Sequence, residues 1–432
     1  MFLPWLFLLA LIGSAPILVF LDFPVIQDAF GVLAAGLMAT ACFGLRRADA
    51  GHLMAECRAP VAAAAIVLLW ILIQLLPLPV GGFSAGTWDS AASALGVSLW
   101  GKITVDPGAT LVVFCHLLAL IATAFLAAAV SLDRVRAETL LSVLAAACVA
   151  MALIVVVHNY SGETFLGEIG DLRLRGPLAA GSTLGAVLTV SVATLAVERY
   201  ELRRMRGRAS AGPLVGLLAL IVVGFLLCWL AILLSELRHL MVVAAGGIVV
   251  IAIINIVRRL GLSAWSAAML VALAVIAGFA IVTTGGAPGQ GPLVLRYAGG
   301  GPAEIAAATL RVMGDAGFAG TGAGTLSAVL PIYGESVPGG VLAPTFAAKL
   351  AVELGQPMLW LCVLMALALA ALLTHGALQR GRDSCHAAAA AGAIVTLVLQ
   401  AFGDASLASF ATASLAAVIL GLGFGQIAGR SV

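Results

Sequence analysis

The sequence predicts an all-α, polytopic membrane protein with about 12 transmembrane helices. Only 42 of its 432 residues are Lys, Arg, Asp or Glu, and these lie in short clusters between long uncharged stretches. A bilayer core about 30 Å thick is crossed by about 20 apolar helical residues, and a charge at its centre costs roughly 2.5–3.5 kcal/mol. The alternating pattern of membrane β-barrel strands is absent from the sequence, so we expect helices.

Twelve uncharged, apolar windows define the predicted spans. They are residues 3–21, 29–45, 59–79, 108–130, 139–157, 177–197, 212–234, 240–257, 263–283, 357–373, 386–402 and 405–427. The first window resembles a secretory signal peptide, with Gly13-Ser14-Ala15 as a small-residue site, but no Lys or Arg precedes it. We therefore interpret it as the first span, and we expect a single transmembrane domain over residues 1–432.

The distribution of basic residues predicts the orientation. With the amino terminus in the cytoplasm, the cytoplasmic loops hold fifteen of the 22 Lys and Arg residues, and the exported loops hold seven. Because Lys and Arg near span ends are retained in the cytoplasm, both termini are expected to be cytoplasmic, with the lipid bilayer as a partner. The arginines from Arg199 to Arg208 are interpreted as a retention anchor, so we expect no nucleic-acid partner.

The positions of the cysteines indicate neither disulfide bonds nor metal ligation. All seven fall in predicted spans or cytoplasmic loops, and no close pair lies in an exported loop. Neither a disulfide framework nor a zinc site is indicated, and we expect no metal and no cofactor.

Long connections on the exported side are the expected location of function. They are residues 80–107, 158–176 and 284–356. The last is expected to be an exported loop with short surface helices.

Two helices are predicted within that loop. Glu304, Ala308, Arg311 and Asp315 fall at helical spacing and are expected to share the polar face of a helix at the membrane surface. Phe346, Leu350 and Leu354 mark a second helix.

The same loop contains a glycine cluster and a charged pair. Gly320-Thr-Gly-Ala-Gly324 is interpreted as a plain turn in preference to a phosphate-binding loop. Lys349 and Glu353 are one helical turn apart, and we interpret them as an ordinary i,i+4 ion pair in preference to a functional pair.

The end of the seventh span is crowded with polar residues, in Leu234-Ser235-Glu236-Leu237-Arg238-His239. Two interpretations stay open: Glu236 and Arg238 neutralise each other, or Arg238 faces a cavity and holds an anion. A guanidinium suits the second role because it donates two parallel hydrogen bonds to phosphate. Arg173 and Arg175, before the sixth span, are interpreted in isolation as offsetting nearby acidic residues.

Four stretches, in one order, resemble the O-antigen ligase and polymerase superfamily. These membrane glycosyltransferases take glycans from undecaprenyl-diphosphate carriers on the periplasmic face. The four stretches are Ile73-Gln74-Leu-Leu-Pro77-Leu-Pro79 with Ile103-Thr-Val-Asp106-Pro107-Gly-Ala-Thr110, then Arg175-Gly176-Pro-Leu-Ala-Ala180-Gly-Ser182, then Ser235 to Arg238, and last Gly320-Thr-Gly322-Ala-Gly324 through Tyr333 to Glu353-Leu-Gly355.

The resemblance implies an inverting transfer of glycan from the carrier to a glycan or lipid acceptor. Arg238, Arg175 and Arg296 would bind the diphosphate of the leaving group, and a base would take the proton of the acceptor hydroxyl. Arg238 would act at the reacting centre. The resemblance also implies the bacterial inner membrane, a periplasmic position for residues 284–356, and other polysaccharide assembly proteins as partners.

The sequence departs from the family at the base. The family's histidine and asparagine align with Pro344 and Thr345, so His239, Glu236 or Glu353 would have to replace them. Retained transferase chemistry in exopolysaccharide or lipopolysaccharide assembly is the prediction. The alternatives are a non-catalytic subunit that binds carrier-linked glycan, and a secondary transporter, whose repeated halves are absent from the sequence.

Overall fold

The computed structural model describes residues 1–21, 23–44, 47–79, 84–161, 172–206, 211–235, 237, 239–261, 264–284, 303–334, 344–379 and 384–428. Its elements are α1 Phe2–Leu18, α2 Pro24–Gly44, α3 Arg47–Glu56, α4 Arg58–Leu75, β1 Leu78–Pro79, α5 Gly86–Leu95, β2 Trp100–Gly101, α6 Pro107–Val130, α7 Arg134–Ser161, α8 Leu172–Met205, α9 Ala211–Leu234, α10 His239–Leu260, α11 Ala264–Thr284, α12 Ala303–Asp315, α13 Leu326–Tyr333, α14 Phe346–Glu353, α15 Gln356–Gln379, α16 Ser384–Gly403, the 3₁₀-helix η1 Ser406–Ala408, and α17 Phe410–Ala428. The two short strands pair antiparallel.

A helix occupies each of the twelve predicted windows. In the described part of the chain, ten helices are long and apolar enough to cross a membrane, and Phe2–Leu18 and Met269–Ala280 are shorter apolar helices. An all-α, polytopic membrane protein is therefore confirmed, and the count of twelve spans stays a prediction. Large apolar side chains are exposed on outer helices, such as Val32 on α2 and Leu220 on α9, as expected where lipid replaces water.

The centre of the bundle is formed by α8, α16 and α17, which are mostly buried, while α2, α4 and α9 lie at the periphery. Small residues allow the central helices to approach closely, as is common in membranes. Between α10 and α16, a Cβ at Gly392 would lie 2.8 Å from the Gly247 carbonyl oxygen. Substitution at this crossing would therefore force the two helices apart.

The arginine face is our name for the end of the bundle where α7 begins and α8, α10 and α17 end. Contacts between distant parts of the chain define it: Arg136 donates to the Met1 carbonyl at 3.2 Å, and Gln426 donates to the Ser131 carbonyl. Met1 and Gln426 thus lie at the same face. That this face is cytoplasmic stays a prediction.

The loop face is our name for the opposite end, which carries α5 and α12 to α14. It is defined by the Phe346 N–H, which donates to the Asp404 carbonyl at 2.8 Å, and by the Thr104 N–H, which donates to the Gln74 carbonyl at 3.2 Å. The starts of α8 and α10 and the end of α16 meet here.

The described helices of residues 284–356 correspond in part to those predicted. The helix expected at Glu304, Arg311 and Asp315 is present as α12, and these three residues are exposed. Placing Ala308 on the polar face was wrong, because it is fully buried beside Val312 in a small apolar cluster. The helix expected at Phe346 is present as α14.

Candidate functional site

A histidine and an aspartate meet at the loop face. His239 is the first residue of α10, and Asp404 follows the last residue of α16; His239 Nε2 lies 3.4 Å from an Asp404 carboxylate oxygen. Their side chains are 15% and 13% exposed, so the pair is shielded and still accessible. Gly403 makes the contact possible, because a Cβ there would overlap the imidazole ring.

The Asp404 carboxylate is held by its own neighbours. One oxygen accepts the Ser406 N–H at 2.8 Å and the Ser406 hydroxyl. The other accepts the Gln400 amide at 3.4 Å, and the same amide donates to the Ser406 hydroxyl at 3.1 Å. These contacts fix the carboxylate in the orientation in which it meets His239.

The start of α8 completes this site. The buried Thr183 hydroxyl donates to the Gln400 side-chain oxygen at 3.1 Å, which ties α8 to α16. About two turns earlier on α8, a Cβ at Gly176 would lie 3.8 Å from the Ser406 Cβ. Arg175 directly precedes Gly176 and is exposed, so its backbone lies near the Ser406 side of the site.

The long loop reaches the same site through α14. The Phe346 N–H bonds to the carbonyl of Asp404, and the Thr345 hydroxyl caps the helix by accepting the Ala348 N–H at 3.0 Å. Thr345 and Pro344 are the residues that the family resemblance would place at its asparagine and histidine. Here the first is a helix cap, and the second has no group that could exchange a proton.

Glu353 lies at the other end of α14, about 10 Å away at 1.5 Å per residue. It is 3% exposed, and its carboxylate accepts the Leu326 N–H at 3.4 Å. Burial raises the pKa of Glu353, while the charge of Lys349 and the N–H groups of Gly324 and Leu326 lower it. The Lys349–Glu353 interaction is thus only part of the environment of an acid that is directed into the glycine turn.

The glycine turn uses its N–H groups within the protein. Those of Thr321 and Gly322 bond to the carbonyls of Val352 and Glu353 at 2.9 and 3.0 Å, and that of Ala323 bonds to the Gln74 side chain at 3.2 Å. Gly322 has φ 108° and touches Thr104. These contacts support the interpretation of a plain turn, since the bonded N–H groups cannot receive a phosphate.

Gln74 joins the first and fourth stretches that carry the family resemblance. It is fully buried, and its amide donates to the carbonyls of Ala319 and Glu353, both at 2.9 Å. Thr110, from the same first stretch, donates to the Ala323 carbonyl at 2.9 Å. The two stretches therefore form one clasp, which we call the Gln74 clasp, at the opposite end of α14 from the His239–Asp404 pair.

The predicted site residues divide into three groups. Glu236, Arg238 and Arg296 lie outside the described residues. Arg175 and His239 both lie at the loop face, where Gly176 lies near Ser406 and His239 contacts Asp404, while Glu353 is separated from His239 by the length of α14. Within the described part of the chain, no three His, Cys, Asp or Glu side chains are grouped so that they could hold a metal.

Asp404 and its partners Gln400 and Ser406 were missed by the sequence analysis, which treated residue 404 only as a gap between two windows. One signal was available, since Asp404 is the single Asp, Glu, Lys or Arg between residues 384 and 428.

Comparison of the chain with protein-family models, curated proteins and solved structures finds no match.

Proposed function

We propose that this chain is a membrane glycosyltransferase of the O-antigen ligase and polymerase type, with His239 as the proton acceptor. The observation that carries the proposal is the 3.4 Å contact between His239 Nε2 and Asp404 at the loop face. A carboxylate held against one imidazole nitrogen fixes the tautomer and stabilises the ring once it is protonated. Asp404 is a positioning residue in this scheme.

In the proposed reaction, an acceptor hydroxyl attacks the anomeric carbon of a sugar on an undecaprenyl-diphosphate carrier. A new carbon–oxygen bond forms as the bond to the diphosphate breaks, and the diphosphate oxygen keeps the electron pair. The hydroxyl proton passes to Nδ1 of His239, the nitrogen that Asp404 leaves available. The acceptor enters opposite the leaving group, so the sugar carbon is inverted.

The leaving diphosphate requires cationic donors that gain strength as its charge develops. Arg175 suits this role because it adjoins Gly176, which lies beside Ser406 in the site. Arg238 directly precedes His239 in the sequence and is the residue that best matches the family position. Arg296 is a third candidate on the grounds of the family resemblance alone.

Glu236 and Glu353 are given different roles. Glu236 remains a second candidate for the base, since it lies three residues before His239. Glu353 is proposed to position the long loop, because its carboxylate is buried and bonded to the backbone of the glycine turn.

A second candidate is a non-catalytic subunit that binds carrier-linked glycan. It is supported by Pro344 and Thr345, which replace the family's histidine and asparagine. The arginines and the long loop would then bind the donor without transfer.

The test is complementation of cells that lack the native gene, with His239→Ala, Asp404→Asn and Arg238→Ala compared with wild type. Polymer or ligated product is quantified against the amount of protein in the membrane. His375→Ala and Asp89→Asn are matched controls, because both residues are exposed and lie outside the site. We expect a fall of about 100-fold or more for His239→Ala, in the range of general-base catalysis, and unchanged product from the controls.

Full product from His239→Ala and Arg238→Ala would overturn the transferase proposal as placed here. The binding-subunit candidate predicts a different result. Purified wild-type protein would cross-link to undecaprenyl-linked glycan without turnover, and the carrier-linked pool would still change when the gene is deleted.

A further inference from the structure

A cavity of about 530 Å³ lies at the arginine face, at the opposite end of the bundle from the His239–Asp404 pair. Its walls come from the start of α7, the last turns of α8 and the last turn of α10. Four arginines line it, namely Arg134, Arg199, Arg258 and Arg259. Four guanidinium groups around one cavity make it strongly attractive to anions.

Acidic groups compensate part of this charge. Glu138, whose side chain is 9% exposed, pairs with Arg134 at 3.2 Å and also with Arg199. Glu198 pairs with Arg258 at 3.0 Å. Glu201 also lines the cavity. Among the residues that the structure describes here, the four arginines outnumber these three acids, and a bound anion would lower the excess of positive charge.

Arg259 is the arginine whose charge is least compensated. It lies in the last turn of α10 and is exposed, and no ion pair joins it to another described side chain. Asn255, one turn earlier on α10, also lines the cavity and offers an amide donor. A phosphate between these two groups would receive a forked, charge-assisted contact and a neutral hydrogen bond.

Apolar side chains also line the cavity. Val190, Leu195 and Leu202 of α8 are among them, and Met205, which is 85% exposed, lies at the end of that helix. Guanidinium groups and aliphatic side chains around one cavity, at a predicted membrane interface, match a phosphate headgroup with its acyl chain.

Retention of a basic loop in the cytoplasm does not by itself require arginines that are partly buried and paired around a cavity. The loop-bias rule needs only solvated Lys and Arg near a span end. Arg258, by contrast, is 20% exposed and fixed between Glu198 and Ser384, and Glu138 is nearly buried between two arginines. The guanidinium groups are thus held in place around the cavity.

We propose that this cavity binds a phosphate-bearing anion, with Arg259 as a direct ligand and the apolar lining residues favouring an anionic phospholipid. The paired arginines Arg134, Arg199 and Arg258 provide the positive field. Bound lipid would hold the end of α8 against α7 and α10. The proposal does not depend on the glycosyltransferase proposal, because the two sites share no residue.

The experiment uses the purified full chain in detergent and two probes, phosphatidylglycerol and inorganic phosphate, with phosphatidylcholine as the neutral lipid control. Bound lipid is counted by native mass spectrometry, and the thermal midpoint is followed as each probe is titrated. The variants are Arg259→Gln and Arg259→Lys. Arg204→Gln is the matched control, because Arg204 is an exposed arginine at the same face that does not line the cavity.

We expect phosphatidylglycerol to bind in preference to phosphatidylcholine, with Arg259→Gln weakening it about tenfold, as loss of one charged hydrogen-bonded contact would. Arg259→Lys should recover part of the loss, and Arg204→Gln should change little. Binding of inorganic phosphate alone, with the same dependence on Arg259, would support the site and assign it to a soluble phosphate compound. Equal effects of Arg259→Gln and Arg204→Gln, or no binding of either probe, would overturn the proposal.

Discussion

The side-chain amide of Gln74 donates a 2.9 Å hydrogen bond to the backbone carbonyl of Glu353, across 279 positions of sequence. The same side chain also bonds to Ala319 and Ala323, so one buried amide satisfies three backbone groups of the long loop. It thereby fixes that loop to the end of α4.

Gln74→Ala is expected to destabilise the protein, because it removes the hydrogen-bond partner of the Ala319 carbonyl and of the Ala323 N–H, while the Glu353 carbonyl keeps its bond from the Gly322 N–H. Each group left without a partner costs about 1–3 kcal/mol. The measurement is the thermal midpoint of the purified protein in detergent. Gln379→Ala is the matched control, since Gln379 is exposed at the end of α15, and its effect should stay within about 0.5 kcal/mol. Equal midpoints for the two variants would contradict the role of the Gln74 clasp.

Glu353→Gln is expected to alter the pH dependence of stability. Burial raises the pKa of Glu353 above the ordinary value of 4.5, despite Lys349 and two N–H groups that lower it. The folded state then holds the proton more tightly than the unfolded state, so wild-type stability falls as pH rises from 4.5 through the raised pKa.

The amide variant cannot ionise, so it should gain on wild type over that interval. Thermal midpoints of both proteins in a pH series from 4.5 upward test this. Glu353→Ala should be less stable than Glu353→Gln throughout, because the Gly324 and Leu326 N–H groups lose their acceptor. A difference between wild type and Glu353→Gln that does not vary with pH would refute the prediction.

Gly322→Ala is expected to cost roughly 1–3 kcal/mol from its backbone conformation alone, since φ is 108°. The new methyl group would also overlap Thr104. Gly314→Ala provides the contrast. Gly314 lies within α12 with open space around its Cβ, so alanine there should stabilise by about 0.5–1 kcal/mol. Opposite shifts of the two thermal midpoints are the expected result, and shifts of the same sign would count against the turn geometry.

Gly403→Ala should impair the proposed activity without removing the protein from the membrane. The added methyl group would overlap the His239 ring and displace it from Asp404. Displacement of a catalytic group by about 1 Å can cost about 100-fold in rate. Product per amount of membrane protein is the measurement, with Gly36→Ala as the control because nothing lies near its Cβ. Full activity of Gly403→Ala would argue against His239 as the base.

The spans were predictable because a single physical quantity sets them. Charge is excluded from the bilayer core, so the uncharged windows coincide with α1, α2, α4, α6 to α11 and α15 to α17. The short helices α3, α5 and α13 were not predicted. Each is at most ten residues long, and such helices depend on tertiary packing more than on local pattern.

The site was predictable only where a charged residue stood out. His239 and Arg175 are conspicuous in the sequence, whereas the partners of Asp404 are ordinary polar residues whose roles arise from contacts across α8, α14 and α16. Glu353 shows the converse. Its spacing from Lys349 indicated an ordinary i,i+4 ion pair. The approach of the glycine turn buries the Glu353 carboxylate, and a pattern within one helix carries no information about that approach.

The Gln74 clasp also sets an order of events during synthesis. Gln74 emerges from the ribosome with α4, and its partner follows 279 residues later. At a translation rate of about 5–20 residues per second, roughly 14–56 s pass between the synthesis of Gln74 and that of Glu353, and the clasp cannot form before then. During that interval the Gln74 amide lacks the backbone partners that it has in the folded protein. We therefore expect that end of α4 to stay at the water interface, or to be shielded by a chaperone, until the last third of the protein is made.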